Sequence, residues 1–345
     1  MPLHRLIQGL LLLGLRFERA RKGEGVPPPR ELAPLIAAIA PAHQAFNAKA
    51  IRYGDRYRSA FWSIYLLSAL AVLCAVLPLA LGWDDDRHFM HPYAGAWALG
   101  EVMVIGAVAL LYGAGHRRDW QGNWLGARTR AELAWYLPLV APLVDFSNPQ
   151  RSVNWYATVF DPSQPLLAER TIEELCRASA PAATAALAGA WARPGFGADY
   201  ARWAASLLAE QRHYHERVAR RQHALLHRVH GMNSWLFGLT AFGALMHLMV
   251  HSVWLTLVTV FFPALGASLH GALAQSESYR LAATSERLVF ELGQAIARFE
   301  AALRESDGEP DEDHLKAAAE AALALILDEH LDWHMLVRPH HLPLA

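Results

Sequence analysis

The sequence is poor in charged residues and in cysteine, and both shortages narrow the class of protein. Charged side chains make up 18% of the 345 residues and hydrophobic ones 54%, against about 25% and 45–50% in average globular chains. Two cysteines are too few for a disulfide framework. We expect no bridge between them, because Cys74 lies in an apolar run and Cys176 in a polar helix. The formal net charge of −1 gives no reason to expect nucleic-acid binding.

The sequence also lacks the short motifs that mark common catalytic and nucleotide-binding sites. It has no glycine-rich phosphate loop of the GxGxxG or GxxxxGK[ST] type and no HEXXH pair. It has no GxSxG nucleophile elbow either. We therefore expect that the protein is not an enzyme and needs no cofactor.

Long apolar runs are the most prominent feature that the sequence does contain. The run from Phe61 carries no charge over about 22 residues, and an α-helix needs roughly 20 apolar residues to span a bilayer. A second run ends at Tyr112 and carries one charge, Glu101. A short acidic loop, Asp84 to Asp86, separates the two runs. Together they predict a transmembrane hairpin.

A second pair of apolar runs near residue 240 predicts a second hairpin. It comprises Trp235 to about Val250 and Val253 to about Leu273, each at the short end of the spanning range. The sequence therefore predicts an all-α polytopic membrane protein with four transmembrane helices in two hairpins and a helical cytosolic region. The predicted divisions are N-terminal cytosolic helices (1–60), the first hairpin (61–115), a cytosolic helical region (116–233), the second hairpin (234–273) and C-terminal cytosolic helices (274–345).

Shorter patterns predict helices outside the membrane. The apolar stretch LIQGLLLLGL near the N-terminus is too short to span and predicts an amphipathic or partner-packing helix. Residues 31–60 predict a helix that ends in a basic, aromatic patch of the kind found where helices enter the headgroup layer. NWLGARTRAELAWYL predicts a helix that Pro138 breaks. Further helices are expected over 200–230, 275–305 and 315–333.

The distribution of arginine predicts how the chain crosses the membrane. The segments before Phe61, after Tyr112 and before Trp235 are rich in arginine, whereas the loop inside the first hairpin is acidic. Basic flanks stay on the cytoplasmic side. We therefore expect a protein of the bacterial inner (plasma) membrane, with both termini and the middle region in the cytoplasm.

The two halves of the chain show a weak internal repeat. Each half contains a basic or aromatic approach, a spanning pair and then a polar helix, so that RTRAELAWYL and TSERLVFEL occupy matching positions. One interpretation is a duplication. The other is that any two hairpins with cytosolic exits look alike.

Glu101 is the only formally charged residue inside a predicted span. A charged side chain at the centre of a span costs about 2.5–3.5 kcal/mol on insertion scales, and it usually faces a bundle interior or a water-filled path. We therefore interpret Glu101 as a residue of a pore or ion path, with His247 and His251 as candidates for the same polar path. The alternative is a carboxyl group that burial neutralises and that serves packing only.

Three histidines share one helix face before the second hairpin. His223, His227 and His230 are spaced i, i+4 and i+7, which suits zinc or a pH-sensitive contact. The residues between them are rich in arginine and no carboxylate nearby in sequence completes a ligand set. We therefore expect no metal site, and interpret this stretch as a polar helix at headgroup level.

The segments that flank the first hairpin resemble a known family. RYGDRYRSAFWSIYLLSALAVL leads into the hairpin and HRRDWQGNWLGARTRAELAWYL leads out of it. This arrangement is similar to the SLATT group of bacterial membrane modules, in which a helix with a W-x3-R-x2-AE pattern follows a two-helix hairpin. Trp124, Arg128, Ala131 and Glu132 occupy that pattern here. ESYRLAATSERLVFEL and EHLDWHMLV are similar to the tail of the same group.

The resemblance implies an effector that forms a pore in the inner membrane as part of a nucleotide-signalling defence system. Proteins of that group are associated with SLOG-type nucleotide sensors, and this chain contains no SLOG-like α/β domain, so a sensor would be a separate cytosolic protein. Four spans rarely enclose a pore, so we expect a homo-oligomer in the lipid bilayer. The alternatives are a membrane-anchored scaffold for a cytosolic protein partner and a small-solute or proton transporter.

Overall fold

The computed structural model describes residues 2–15, 25–83, 85–143, 189–250, 252–305 and 311–337, and parts of 170–187. Within these ranges the chain is helical and contains no strand, which confirms the predicted all-α class. The helices are α1 (Leu3–Leu11), α2 (Ala33–Ala80), α3 (Ala94–Arg117), α4 (Trp120–Val140), α5 (Phe196–His247), α6 (Val253–Gln275), α7 (Ser278–Glu305) and α8 (Glu312–Val337).

Two of these helices are much longer than a membrane span. Helix α2 has 48 residues and α5 has 52. The predicted divisions at 60/61 and 233/234 therefore fall inside continuous helices. No proline or glycine stands at either division, so nothing in the local sequence ends the helix there.

Three segments contain stretches that are long and apolar enough to cross a membrane. They lie in Ala33–Ala80, His91–Arg117 and Val253–Arg304. The last turns of α5, predicted as a further span, are not among them. That stretch is less apolar because it starts near His230 and Asn233 and ends at His247. The fourth span and the arrangement in two hairpins stay predictions.

The order of the helices repeats. In the first triplet α2 packs against both α3 and α4, and in the second triplet α5 packs against both α6 and α7. Helix α2 also packs against α6, which joins the two triplets. This repeated order agrees with the repeat in the sequence, whereas a common origin of the two halves stays a prediction.

The same backbone feature ends the second helix of each triplet. Asp119 follows α3 with φ 41° and Glu277 follows α6 with φ 52°, and these are the non-glycine residues with positive φ in the described part of the chain. The Asp119 carboxylate accepts a hydrogen bond from the Gly122 N–H at 3.0 Å, which caps α4. At both places the chain changes direction with almost no loop.

The end of α4 corrects one expectation. The helix continues past Pro138 to Val140, and the chain then makes a 3-10 turn over Ala141–Leu143. The expected break at Pro138 is therefore wrong. A proline in the last turn removes a single N–H bond and leaves the preceding turns intact.

Two apolar cores hold the helices together. The core in the region predicted to be cytosolic, called the cytosolic core, combines the start of α2, the end of α4, the start of α5, α7 and α8. Its centre is Tyr200, whose hydroxyl donates to the Leu139 carbonyl. The boundary core lies where the long helices approach the predicted spans, and it combines α1 with α2, α4, α5 and α6. Residues such as Phe61, Trp62 and Val229 are at most 1% exposed there.

Candidate functional site

The predicted path residue Glu101 lies on the least covered helix of the structure. Helix α3 touches α2 near Gly100, where a Cβ would lie 4.0 Å from the Cys74 sulfur. The two residues that follow Glu101, Val102 and Met103, are 65% and 68% exposed. Glu101 is half-buried, and no side chain in the described part of the protein pairs with its carboxylate. The position fits a carboxylate that meets lipid, water or another copy of the chain.

His247, another predicted path residue, is not brought next to Glu101 by the main helix contacts. His247 is the last residue of α5, and this part of α5 is followed directly by α6, on which α5 packs. Helix α3 packs on α2 instead. His251 lies outside the described residues. A polar path that joins all three residues stays a prediction.

The histidine face of α5 contacts a carboxylate that the sequence reasoning missed. The His223 Nε2 lies 2.8 Å from the Glu286 Oε1 on α7, which is 63 residues away in the sequence. His230 stacks near His270, with 6.4 Å between ring centroids. No cluster of three metal-binding side chains occurs within the described ranges.

The family-like motif packs α4 against α2. Trp124 is 8% exposed. Its ring stacks on Tyr57 with centroids 5.8 Å apart, and the Arg58 guanidinium lies 4.7 Å from the ring centroid. A Cβ at Gly54 would lie 2.9 Å from the Trp124 Nε1, so only glycine lets the two helices approach this closely. Trp124 therefore holds the first triplet together.

The other two motif residues form an ion pair along the same helix. The Arg128 side chain pairs with the Glu132 carboxylate, and both line a cavity. The motif residues thus fall on one wall of a polar space between the two triplets.

This space is the central cavity, and it has two adjoining compartments. The first has a volume of about 250 Å³ and the second about 400 Å³. The compartments share a wall formed by Arg5, Arg58, Trp124, Tyr214, Val218, Leu281 and Thr284. These residues come from α1, α2, α4, α5 and α7, so the central cavity lies where both triplets meet.

Most arginines that line the central cavity have a carboxylate partner. Arg5 lies 2.9 Å from Asp55, Arg128 pairs with Glu132, and Arg280 lies 3.9 Å from Glu277. Arg58 and Arg221 differ. Neither forms an ion pair with any carboxylate among the described residues, and the Arg221 guanidinium donates to the Gln8 side chain at 3.1 Å. The cavity wall therefore carries an excess of positive charge.

The pKa values of two buried histidines beside the cavity are lowered. Burial and then the nearby Arg58 lower the pKa of His4 to about 4, against the opposing effect of Asp55. Burial also lowers the pKa of His215 to about 4, with Glu132 acting in the opposite direction and Arg128 in the same direction. Both imidazoles are therefore neutral at pH 7.

The basic, aromatic patch before the first span corrects an interpretation. Tyr57, Phe61 and Trp62 are buried in the boundary core rather than facing headgroups. The sequence reasoning assigned the arginines of this patch to the membrane surface and so missed Arg58. Its place in the cavity depends on contacts with α4 and α5, which are distant in sequence.

Comparisons with known proteins do not place the chain in a family. No protein-family model matches it, and neither a curated protein nor a solved structure gives a match. The SLATT resemblance therefore depends on the residues quoted above.

Proposed function

We propose that the protein is an inner-membrane effector with a channel-like activity that a cytosolic signal controls. One observation supports the proposal above the others. Helices α2 and α5 each run without a break from the cytosolic core to the predicted membrane region. A rearrangement of the cytosolic core would therefore move the ends of both helices in the membrane.

In this proposal the conducting form is a homo-oligomer. One chain would contribute four spans in two hairpins, namely the end of α2, α3, the end of α5 and α6. The exposed surface of α3 supports this role, because it carries Glu101 and packs on little besides α2. Glu101 would then face the ion path formed between copies.

The SLATT-like residues are consistent with an effector that responds to a separate sensor. Trp124, Arg128 and Glu132 join α4 to α2 and line the central cavity. A cytosolic sensor protein that altered this region would act directly on the first triplet. The separate sensor and its nucleotide signal are inferred only from the resemblance to the SLATT group.

Membrane depolarisation on induced expression tests the proposal. A voltage-sensitive dye would be read in cells that express the wild type or Glu101→Gln. We expect the wild type to depolarise the cells and the variant to do so much less, because the charge in the path is lost. Glu300→Gln is the matched control, since it makes the same chemical change on an exposed turn of α7. Equal depolarisation by all three proteins would remove Glu101 from the path.

A membrane-anchored scaffold is the second candidate, and the cytosolic core favours it. That core combines five helices and has large buried side chains such as Tyr200 and Phe299, so it offers a stable platform for a protein partner. The scaffold predicts no depolarisation by the wild type, even with its sensor co-expressed. It also predicts that the full-length protein and Glu101→Gln retain the same partner in the membrane fraction.

A further inference from the structure

We propose that the larger compartment of the central cavity binds a phosphate group, and that Arg58 and Arg221 hold it. The two arginines come from α2 and α5, which belong to different triplets. A ligand held by both side chains would connect the two halves of the protein.

The first argument is the imbalance of charge around the compartment. Its other arginines, Arg5 and Arg280, have carboxylate partners, whereas Arg58 and Arg221 have none among the described residues. Arg58 is half-buried, and a partly buried cation without a partner is costly. A bound anion would supply the missing charge.

The second argument is that Arg58 is held in place while its donors stay unused. The face of its guanidinium lies over the Trp124 ring, 4.7 Å from the centroid. No acceptor within the described ranges takes a hydrogen bond from Arg58. A guanidinium presents five N–H donors in a fixed plane, which suits the several oxygens of a phosphate.

The third argument is an amide that faces the same compartment without a partner. The Gln222 Oε1 is buried and has no hydrogen bond in the described structure. A side-chain amide presents an NH₂ group as readily as its oxygen. Gln222 can therefore donate to a phosphate oxygen once the ligand is bound.

The size and surroundings of the compartment define the ligand further. A volume of about 400 Å³ falls within the range of about 300–1,000 Å³ of small-molecule sites. Tyr57, Phe61 and Trp124 give it an aromatic side, so the phosphate can belong to a molecule with an apolar part. Because Phe61 begins a predicted span, the molecule can be a lipid of the inner leaflet or a soluble phosphorylated compound. Both offer the same phosphate chemistry.

Binding to purified full-length protein tests this site without any measurement of ion flux. The protein would be stripped of lipid in detergent and titrated by calorimetry with two probes. Inorganic pyrophosphate represents a soluble phosphate compound. Short-chain phosphatidylglycerol in mixed micelles represents a lipid, with diacylglycerol micelles as the phosphate-free reference. Sodium chloride at equal ionic strength controls for screening.

Matched variants connect any binding to the two arginines. We expect Arg58→Gln and Arg221→Gln each to weaken binding about ten-fold or more, because each removes charged hydrogen bonds to the ligand. Arg56→Gln and Arg220→Gln lose the same charge at positions of the same helices that do not line the cavity, and we expect binding within about two-fold of the wild type. Arg58→Lys keeps the charge but loses the planar guanidinium with its several N–H donors, so this variant should bind with intermediate affinity. Circular dichroism would show that the variants remain folded.

The outcomes separate the two sources and can overturn the site. Arginine-dependent binding of pyrophosphate alone identifies a soluble ligand, binding of phosphatidylglycerol alone identifies a lipid, and binding of both identifies a general phosphate site. The absence of saturable binding for either probe in the wild type would refute the proposal. Equal weakening in the control variants would refute it as well. The site does not require conduction, whereas its interpretation as the place of the gating signal rests on the proposed function.

Discussion

The two helix triplets have the same order but are held together by different contacts. In the first, the large Trp124 ring lies five residues after the turn at Asp119 and stacks between Tyr57 and Arg58. In the second, the buried Ala282 lies five residues after the turn at Glu277. Near this turn polar contacts join α5 and α7, such as those of His215 with Ser285 and His223 with Glu286, whereas farther along the same helices Tyr200 packs on Phe299. The difference shows that the same turn can be followed by aromatic packing in one triplet and by polar contacts in the other.

The middle helices of the triplets differ as well. Helix α6 packs on both α2 and α5, whereas α3 packs mainly on α2. A Cβ at Gly271 of α6 would overlap the Tyr65 ring, but a Cβ at Gly106 of α3 would meet nothing within 4 Å. Helix α6 is therefore covered by the rest of the chain along its second half, whereas α3 presents most of its surface to whatever surrounds the chain.

The largest expected effect comes from removing the aromatic contact of the first triplet. Trp124→Ala deletes a buried ring from the α2–α4 contact, and we expect a loss of about 3–5 kcal/mol in the free energy of unfolding. Thermal and denaturant unfolding of the purified protein measure this loss. Trp135→Ala, on the same helix but 39% exposed, should cost clearly less. Equal losses at the two positions would contradict the role given to Trp124.

The second triplet should respond to acid through His215. Its imidazole lies 3.5 Å from the Ser285 hydroxyl of α7, and burial lowers its pKa to about 4. Between pH 6.5 and 4 the unfolded chain binds more protons at this residue than the folded chain, so stability is full above pH 6.5 and falls as the pH drops toward 4. The contribution is on the order of 3 kcal/mol.

Unfolding measured between pH 7 and pH 4 tests this dependence. His4 has a pKa lowered in the same direction, so it contributes to the same slope. Burial also lowers the pKa of His43, so we expect His215→Gln to reduce the slope without abolishing it, since the other histidines still titrate. An unchanged slope in this variant would show that His215 does not contribute.

A smaller effect should distinguish the two middle helices. Gly271→Leu places a side chain against Tyr65, and we expect a loss of about 1–3 kcal/mol from overpacking. Gly106→Leu makes the same change on the open side of α3, and we expect a change within about 0.5 kcal/mol. Comparing the unfolding of both variants in detergent measures the difference. A large loss at Gly106 in the oligomer would instead identify a contact between copies.

The smallest expected effect concerns the contact between His223 and Glu286. Both side chains are more than half exposed, and exposed ion pairs are worth about 0.2–1 kcal/mol. A double-mutant cycle with His223→Gln and Glu286→Gln measures the coupling between them. A coupling well above this range would mean that α5 and α7 exclude water here.

Several elements could be predicted from the sequence because their signals are local. The apolar runs identified α3, α6 and the second half of α2, and the polar pattern before Pro138 identified α4. The continuity of α2 past residue 60 could not be predicted with the same ease, because the change from polar to apolar composition looked like a boundary.

Much less of the candidate site could be predicted from the sequence. Trp124, Arg128 and Glu132 were singled out through a motif, but the cavity they line also requires Arg58 of α2 and Arg221 of α5. These residues are separated by long stretches of chain, and only the packing of the triplets brings them to one space. Glu101 was found because a charge within an apolar run is a local signal.

The unbroken helices also have a mechanical consequence. A helix of 48 residues is about 72 Å long at a rise of 1.5 Å per residue. A rigid tilt of only about 5° around its middle would displace each end by about 3 Å. In the proposed topology helix α2 would act as a lever arm, so that a small shift of its cytosolic end would produce a displacement of similar size at its end in the membrane.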